Sequence, residues 1–141
     1  MSDSLVIIPT YNEKENVVKM IEAVLGLNQA FDVLIVDDGS PDGTADLVKA
    51  QMEKYGSRIF LLERAGKQGL GTAYIAGFKW ALERDFDYIF EMDCDFSHTP
   101  KDLIRLKKSC AENGAGVAVG SRYVQGCLLY TSDAADDLLC V

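Results

Sequence analysis

The sequence predicts an α/β fold with a mostly parallel sheet covered by helices on both faces, and three observations predict it. Short apolar runs recur along the chain and are continuously hydrophobic rather than alternating, as strands buried on both faces must be. Amphipathic stretches of helical period separate those runs. The acidic and glycine-rich turns follow the strands, not the helices. Strand–helix alternation of this kind marks a parallel sheet, and such sheets bind ligands outside the carboxyl ends of their strands.

Taken in order, Leu5, Val6, Ile7 and Ile8 make a run too short for a helix, closed by Pro9. From Asn16 onward Val17, Ile21, Val24 and Leu25 follow helical spacing, which ends near Gly26. Residues 32–36 form a second apolar strand, closed by Asp37-Asp38-Gly39-Ser40-Pro41-Asp42-Gly43. A helix over 44–55 follows, with Ala45, Leu47, Val48 and Met52 as its expected buried stripe. Strand three spans 58–62 and leads through a glycine-rich loop to a helix over 71–84, where Phe78 and Trp80 read as packing residues. Strand four spans 88–92. Thr99-Pro100 reads as an N-cap with proline at the first helical position, opening a helix to about residue 113. Residues 116–119 read as strand five.

At 141 residues the chain holds one domain's worth of core. It is 48% hydrophobic and 26% charged, and its formal net charge is −8. That sign, with no basic patch, argues against a nucleic-acid partner. The start of the chain lacks the basic and apolar regions of a secretory signal. Cys94, Cys110, Cys127 and Cys140 show neither metal spacing nor a dense disulfide pattern, which suits a reducing cytoplasm. The last fifteen residues, 127–141, hold three acids and no Lys or Arg. Their order resembles a translated sequencing-library adapter. The expected division is therefore a nucleotide-sugar-binding part over 1–126 and a non-native tail over 127–141, with the chain truncated at its C-terminal side.

The chemistry sits at the strand ends. Asp93 and Asp95 are spaced i, i+2, so a strand end can present both to one cation. Hard oxygen ligands suit Mg²⁺ or Mn²⁺, above all when a phosphate completes the coordination; a solvated turn is the plainer alternative. At the first strand end, Pro9 restricts the turn, Tyr11 offers a ring for stacking, and Glu13 either contacts a ligand or complements a helix dipole. At the second, one of Asp37 and Asp38 is the candidate acceptor for a base or ribose, while turn and capping chemistry suffices for Ser40, Asp42 and Gly43. The loop from Arg64 to Thr72 brings two bases and several glycines before a helix, either approaching a phosphate or serving as a flexible connection. Arg122 can hold a phosphate bidentately. His98 suits a helix-start hydrogen bond better than a base, and Cys94 suits a small strand-end filler better than a thiolate ligand.

Together, Pro9-Thr10-Tyr11-Asn12-Glu13, Val36-Asp37-Asp38-Gly39-Ser40-Pro41-Asp42-Gly43, Gly69-Leu70-Gly71-Thr72-Ala73-Tyr74 with Gly77, Met92-Asp93-Cys94-Asp95-Phe96-Ser97-His98 and Gly120-Ser121-Arg122-Tyr123 resemble the family 2 glycosyltransferases of Rossmann-like GT-A fold. The resemblance spans residues 5–126 and is most detailed with the polyprenol-phosphate (dolichyl-phosphate) mannosyltransferases. It implies that Pro9, Tyr11, Glu13, Val36 and Asp38 hold the guanosine of GDP-mannose. It implies that Asp93 and Asp95 engage sugar phosphate and Mg²⁺ or Mn²⁺, with Cys94 on the donor and Ser97 near the metal. Arg122 would meet the diphosphate or the acceptor phosphate. Cys94 departs from the alanine usual between the two acids, and the family's further basic and acceptor-binding elements lie beyond residue 126.

The implied reaction is inverting, metal-dependent transfer of mannose to a polyprenyl phosphate by a cytoplasmic enzyme peripheral to the membrane. A membrane-anchoring partner, or a C-terminal membrane segment outside this chain, is implied with it. Three alternatives stand beside this reading. They are a family 2 transferase using another nucleotide sugar such as UDP-glucose, a phospho-receiver signalling domain, and an inactive nucleotide-binding fragment.

Overall fold

Burial explains the sheet before any other feature does. In the computed structural model, which describes residues 2–97 and 99–113, every residue of β1 (Ser4–Thr10) and of β2 (Asp32–Asp37) is buried. β3 (Ile59–Glu63) and β4 (Tyr88–Glu91) flank them in the order β3-β2-β1-β4, and all three pairings are parallel. The helices are α1 (Val17–Leu25), α2 (Thr44–Tyr55), α3 (Leu70–Leu82) and α4 (Asp102–Asn113). By contacts the chain divides into two units, Met1–Ser97 and His98–Val141. The first holds the whole sheet with α1, α2 and α3. In the second, α4 is entered through Asp102 N–H to the Thr99 carbonyl and Leu103 N–H to the Pro100 carbonyl.

The strand order fixes which face each helix covers. The chain steps from β1 to β2 to β3 in one direction, then returns across the sheet to β4 on the other side of β1. Right-handed crossovers put α1 and α2 on one face and the returning α3 on the opposite one. The contacts agree: α1 and α2 meet each other and β2, while α3 meets β1, β2 and β4. Residues alternate between faces along a strand. Leu5, Ile7, Leu34 and Val36 therefore pack with Ala73 and Ala81 of α3. Val6, Ile8, Val33 and Ile35 are left for the other face, where Val17, Met20, Ile21 and Val24 of α1 and Val48 of α2 are also buried. A fully buried aliphatic side chain contributes roughly 1.5–3 kcal/mol. Exposed ion pairs such as Lys49–Glu63 at 3.5 Å contribute about 1 kcal/mol at most. The sheet's two faces, not its surface charges, hold the fold.

α3 lies close to β1 because its inward stripe, Ala73, Gly77 and Ala81 at i, i+4 and i+8, is small. A Cβ placed on Gly77 would stand 2.6 Å from Cγ2 of Ile7. Larger residues flank the stripe: Phe60, Trp80 and Phe86 pack as an aromatic group, with Phe60 and Trp80 centroids 4.9 Å apart. Phe78 and Trp80 thus pack as expected.

Several boundaries differ from expectation. β1 continues through Pro9 to Thr10, paired with β2 at Pro9–Val36 and Thr10–Asp37. β4 ends at Glu91, so the acid pair follows the strand instead of ending it. Leu47 of α2 is an exposed large hydrophobic, not part of the buried stripe, whose centre is Val48. α4 begins at Asp102, after a turn. The expected strand over 116–119 lies outside the described residues.

Because Gly77 seats α3 on a β-branched, fully buried side chain, Gly77→Val should destabilise the chain by about 2 kcal/mol or more, an overpacking cost. Urea unfolding of the two chains checks it, and equal midpoints would show that the α3 seat is looser than its geometry.

Candidate functional site

Pro9 opens the site. Ile7 accepts Met92 N–H on its β4 side at 3.1 Å, and the Thr10 carbonyl accepts Asp38 N–H on the β2 side at 3.1 Å. Main-chain groups alternate sides along a strand, so the ring nitrogen of Pro9 faces β4, where pairing has already ended at Ile7–Glu91. A residue without an N–H leaves no orphan donor at that gap. The strands on either side of it were reached in opposite directions, which makes the crevice between β1 and β4 a topological switch point.

A cleft of about 290 Å³ occupies that crevice, lined by Pro9 and Thr10 at the end of β1, Tyr11 and Glu13 after it, Asp38 after β2, Lys67 in the loop before α3, Leu70 at the start of α3, and Asp93, Cys94 and Asp95 after β4. Tyr11, Glu13, Asp38, Asp93, Cys94 and Asp95 are thus brought together with Pro9. Val36 is fully buried in the core cluster under α3 and does not line the cleft. Ser97 donates its N–H to Oδ1 of Asp95 at 3.0 Å and sits behind that acid. Arg122 lies outside the described residues.

Asp37 and Asp38 have divided the work between them. Asp37 accepts from Oγ1 of Thr10 at 2.7 Å, Oγ of Ser40 at 2.7 Å and N–H of Ser40 at 3.0 Å, so it ties the β1 and β2 ends together. Asp38 lines the cleft and is held bidentately by Arg64, with Nε to Oδ1 at 2.6 Å and Nη2 to Oδ2 at 2.8 Å. Both side chains are nearly buried, at 12% and 7% exposure for Arg64 and Asp38. The hydrogen bond to Asp38 raises the Arg64 pKa above its ordinary value, so the guanidinium charge is fixed. Arg64 Nη2 also reaches Oγ1 of Thr72 at 3.1 Å. Lys67 lies with Nζ 5.0 Å from the centroid of the Tyr11 ring, a cation–π distance.

At the other wall, the turn after β4 carries Phe96 at φ 61°, a left-handed conformation uncommon for a bulky residue. Tyr74 of α3 donates its hydroxyl to Oδ1 of Asp93 at 2.7 Å. Burial first, then the charges of Glu13, Asp95 and Asp93, push the Cys94 thiol up to about 12. Cys94 is therefore a neutral filler at neutral pH, and its surroundings show how closely the three acids converge. Burial and the charge of Asp93 raise the Glu91 pKa as well.

Hard carboxylate oxygens dominate this donor set. Among the described residues no three or more His, Cys, Asp or Glu gather as a metal cage. Two carboxylates with the remaining positions filled by water and phosphate oxygens is nevertheless how Mg²⁺ is ordinarily held, and Asp93 with Asp95 fits that pattern. Among the described residues that line the cleft, the acids outnumber the one cation, Lys67. A divalent cation bound there would reverse the local sign toward an anionic ligand.

Sequence reasoning missed Tyr74 as a partner of the acid pair and Arg64 as the clamp on Asp38. The small stripe of Ala73, Gly77 and Ala81 was the available signal for Tyr74, since it fixes which way α3 faces. Arg64, directly after β3, had no signal beyond proximity to a strand end.

The switch-point cleft defines an α/β protein whose ligand is bound at strand ends, and the sheet order excludes the flavodoxin-like arrangement of receiver domains, in which β3 lies beside β1. Residues 5–133 match the family model described as Glycosyl transferase family 2, a match that runs past Gly126. The chain belongs to glycosyltransferase family 2. It is 46% identical over 123 residues to the polyprenol monophosphomannose synthase of Mycolicibacterium smegmatis, covering 87% of this chain and 46% of the relative. It is 46% identical to the undecaprenyl-phosphate mannosyltransferase of Micrococcus luteus, covering 86% of this chain and 49% of the relative. The chain thus spans about half the length of these relatives. Among solved structures, a Pyrobaculum calidifontis mannosyltransferase in complex with GDP-Man and Mn²⁺ aligns at TM-score 0.53 and 25% identity, over 56% of this chain and 24% of that one. S. aureus TarS aligns at TM-score 0.69 and 20% identity, over 91% of this chain and 38% of that one, and shows the shared GT-A fold.

Two expectations follow from this geometry. Arg64→Met leaves Asp38 charged without its partner and should cost about 3 kcal/mol, the low end for breaking a buried pair; adding Asp38→Asn should recover most of it, as equilibrium unfolding of the single and double variants can measure. Glu91 has a folded pKa above its unfolded value. Its favourable contribution is present below the ordinary carboxylate range and is lost as pH rises through the raised value. Glu91→Gln should therefore raise the melting temperature at pH 7 and leave it nearly unchanged at pH 4 in metal-free buffer.

Proposed function

We propose that this chain is the donor-binding part of an enzyme that transfers mannose from GDP-mannose to a polyprenyl phosphate, with inversion and with Mg²⁺ or Mn²⁺. The observation that carries the reading is the pairing of Asp93 and Asp95 with Tyr11, Glu13 and Asp38 across one switch-point cleft. The names of the relatives, polyprenol monophosphomannose synthase and undecaprenyl-phosphate mannosyltransferase, support the sugar and the acceptor class. The GDP-Man and Mn²⁺ complex of the Pyrobaculum calidifontis mannosyltransferase supports donor and cation.

In this reading Tyr11, Glu13 and Asp38, beside Pro9 and the backbone of Val36, receive the guanosine. Asp38 arrives already oriented by Arg64, which costs no reordering on binding. Asp93 and Cys94 face the sugar-phosphate side, while Asp95 and Ser97 hold the cation. A divalent cation there supplies Lewis-acid neutralisation of the leaving diphosphate. The acceptor phosphate monoester is anionic near neutral pH and needs little general-base help. Its oxygen forms a bond to the anomeric carbon from the face opposite the diphosphate. The carbon–oxygen bond to the β-phosphate breaks, and the electron pair leaves with GDP. Arg122 is assigned to the diphosphate or the acceptor phosphate. A lipid-linked acceptor places the reaction at a membrane surface, with the protein on its cytoplasmic side. No helix of the described residues is long and apolar enough to cross a membrane; a membrane-anchoring partner or a C-terminal membrane segment outside this chain belongs to the proposal.

Asp95→Asn should weaken Mn²⁺-dependent GDP-mannose binding and lower mannosyl transfer to polyprenyl phosphate by roughly a hundredfold, as loss of one key electrostatic group does. The transfer assay, run with and without chelator, decides it. Transfer at the parental rate would reduce the acid pair to a strand-following turn, and tighter binding of UDP-glucose would move the donor assignment to that sugar.

A further inference from the structure

We propose that Tyr74 is the positioning residue of the acid pair, holding Asp93 in the orientation that donor binding requires. Two independent observations carry this. The first is the hydrogen bond itself: the phenol of Tyr74 donates to Oδ1 of Asp93 at 2.7 Å, from a partly buried ring packed against the core cluster. A donor to a carboxylate makes a charge-assisted bond, about twice as strong as a neutral one. The second is the seat of the helix that carries the ring. Gly77, one turn after Tyr74, lies so close to Ile7 that even a methyl group would collide. The depth of α3 against β1, and with it the height of the phenol, is set by the core.

The turn that carries Asp93 needs such a support. It follows the end of β4 at Glu91, and among the described residues the strand pairing there ends with Met92 N–H on the Ile7 carbonyl. It includes Phe96 at φ 61°, a conformation that persists only where surroundings enforce it. The acids themselves repel one another. Asp95 is held from within the turn by the N–H of Ser97, and Tyr74 holds Asp93 from outside it. The same helix start reaches the opposite wall, since Thr72 accepts from the Arg64 that clamps Asp38. One rigid helix start therefore spaces the base-side acid from the phosphate-side acid. The inference rests on the assignment of Asp93 to the donor.

Tyr74→Phe keeps the ring and its packing and removes only the hydroxyl. Calorimetric titration with GDP-mannose and Mn²⁺ should show affinity weakened roughly tenfold, the scale of one hydrogen bond to a charged group, with the melting temperature within about two degrees of the parent. In an Asp93→Ala background, which has no side-chain acceptor for the phenol, the same change should have no further effect on binding. Parental affinity in Tyr74→Phe overturns the proposal. An undiminished loss in the Asp93→Ala background also overturns it, because a merely structural effect of the ring would persist there. Should the parent chain prefer UDP-glucose, the donor assignment falls and the Tyr74 test is read on that donor with the same outcomes.

Discussion

Everything in the first unit is arranged around the saturation of β1. It is hydrogen-bonded by β2 along one side and by β4 along the other, and its side chains are buried on both faces. A strand so enclosed has one place where it can meet a ligand, its carboxyl end. There the β4 ladder stops at Ile7 while the β2 ladder runs on to Thr10. The three-residue difference between those two ladders is the cleft, and Pro9 sits in it as the residue that has no donor to leave unpaired. Site and core thus follow from one pairing mismatch.

The walls of that cleft are over-supplied with negative charge, and the protein has neutralised it selectively. Asp37 is consumed by Thr10 and Ser40, and Asp38 is matched by Arg64. Glu13 has the Asn16 amide on Oε2 at 3.2 Å. Asp93 and Asp95 receive neutral donors, a phenol and a backbone N–H. A neutral donor orients a carboxylate without cancelling its charge.

Fold and site were legible in the sequence to different depths. The continuous apolar runs of β1 and β2 gave the parallel sheet directly, because strands covered on both faces have no polar face to hide. The α2 bounds expected from the sequence, 44–55, are those of the structure. Leu47 was misplaced because α2 is weakly amphipathic, with Thr44 and Val48 as its buried residues. The acid pair was read from i, i+2 strand geometry, yet the strand had ended and a turn presents both groups. Arg64 and Tyr74 were invisible as partners, since Arg64 meets Asp38, 26 residues away, through the register of β2 and β3, and Tyr74 meets Asp93, 19 residues away, through the depth of α3, neither of which a local pattern encodes.

That dependence on α3 has a consequence for how single residues in the cleft should be understood. Thr72, Tyr74 and Gly77 fall within two turns of one helix, and they touch the Arg64–Asp38 clamp, the acid pair and β1 in turn. Groups that share a rigid support couple, so substitutions on opposite walls are not independent even though the walls do not touch. A shift of α3 moves Lys67 and Leu70, which line the cleft from the loop and first turn at its start, together with the phenol on Asp93. The small residues facing β1 thereby set the geometry of the cleft wall without lining it. Glycine at position 77 is a spacing constraint on the site as much as a packing constraint on the core.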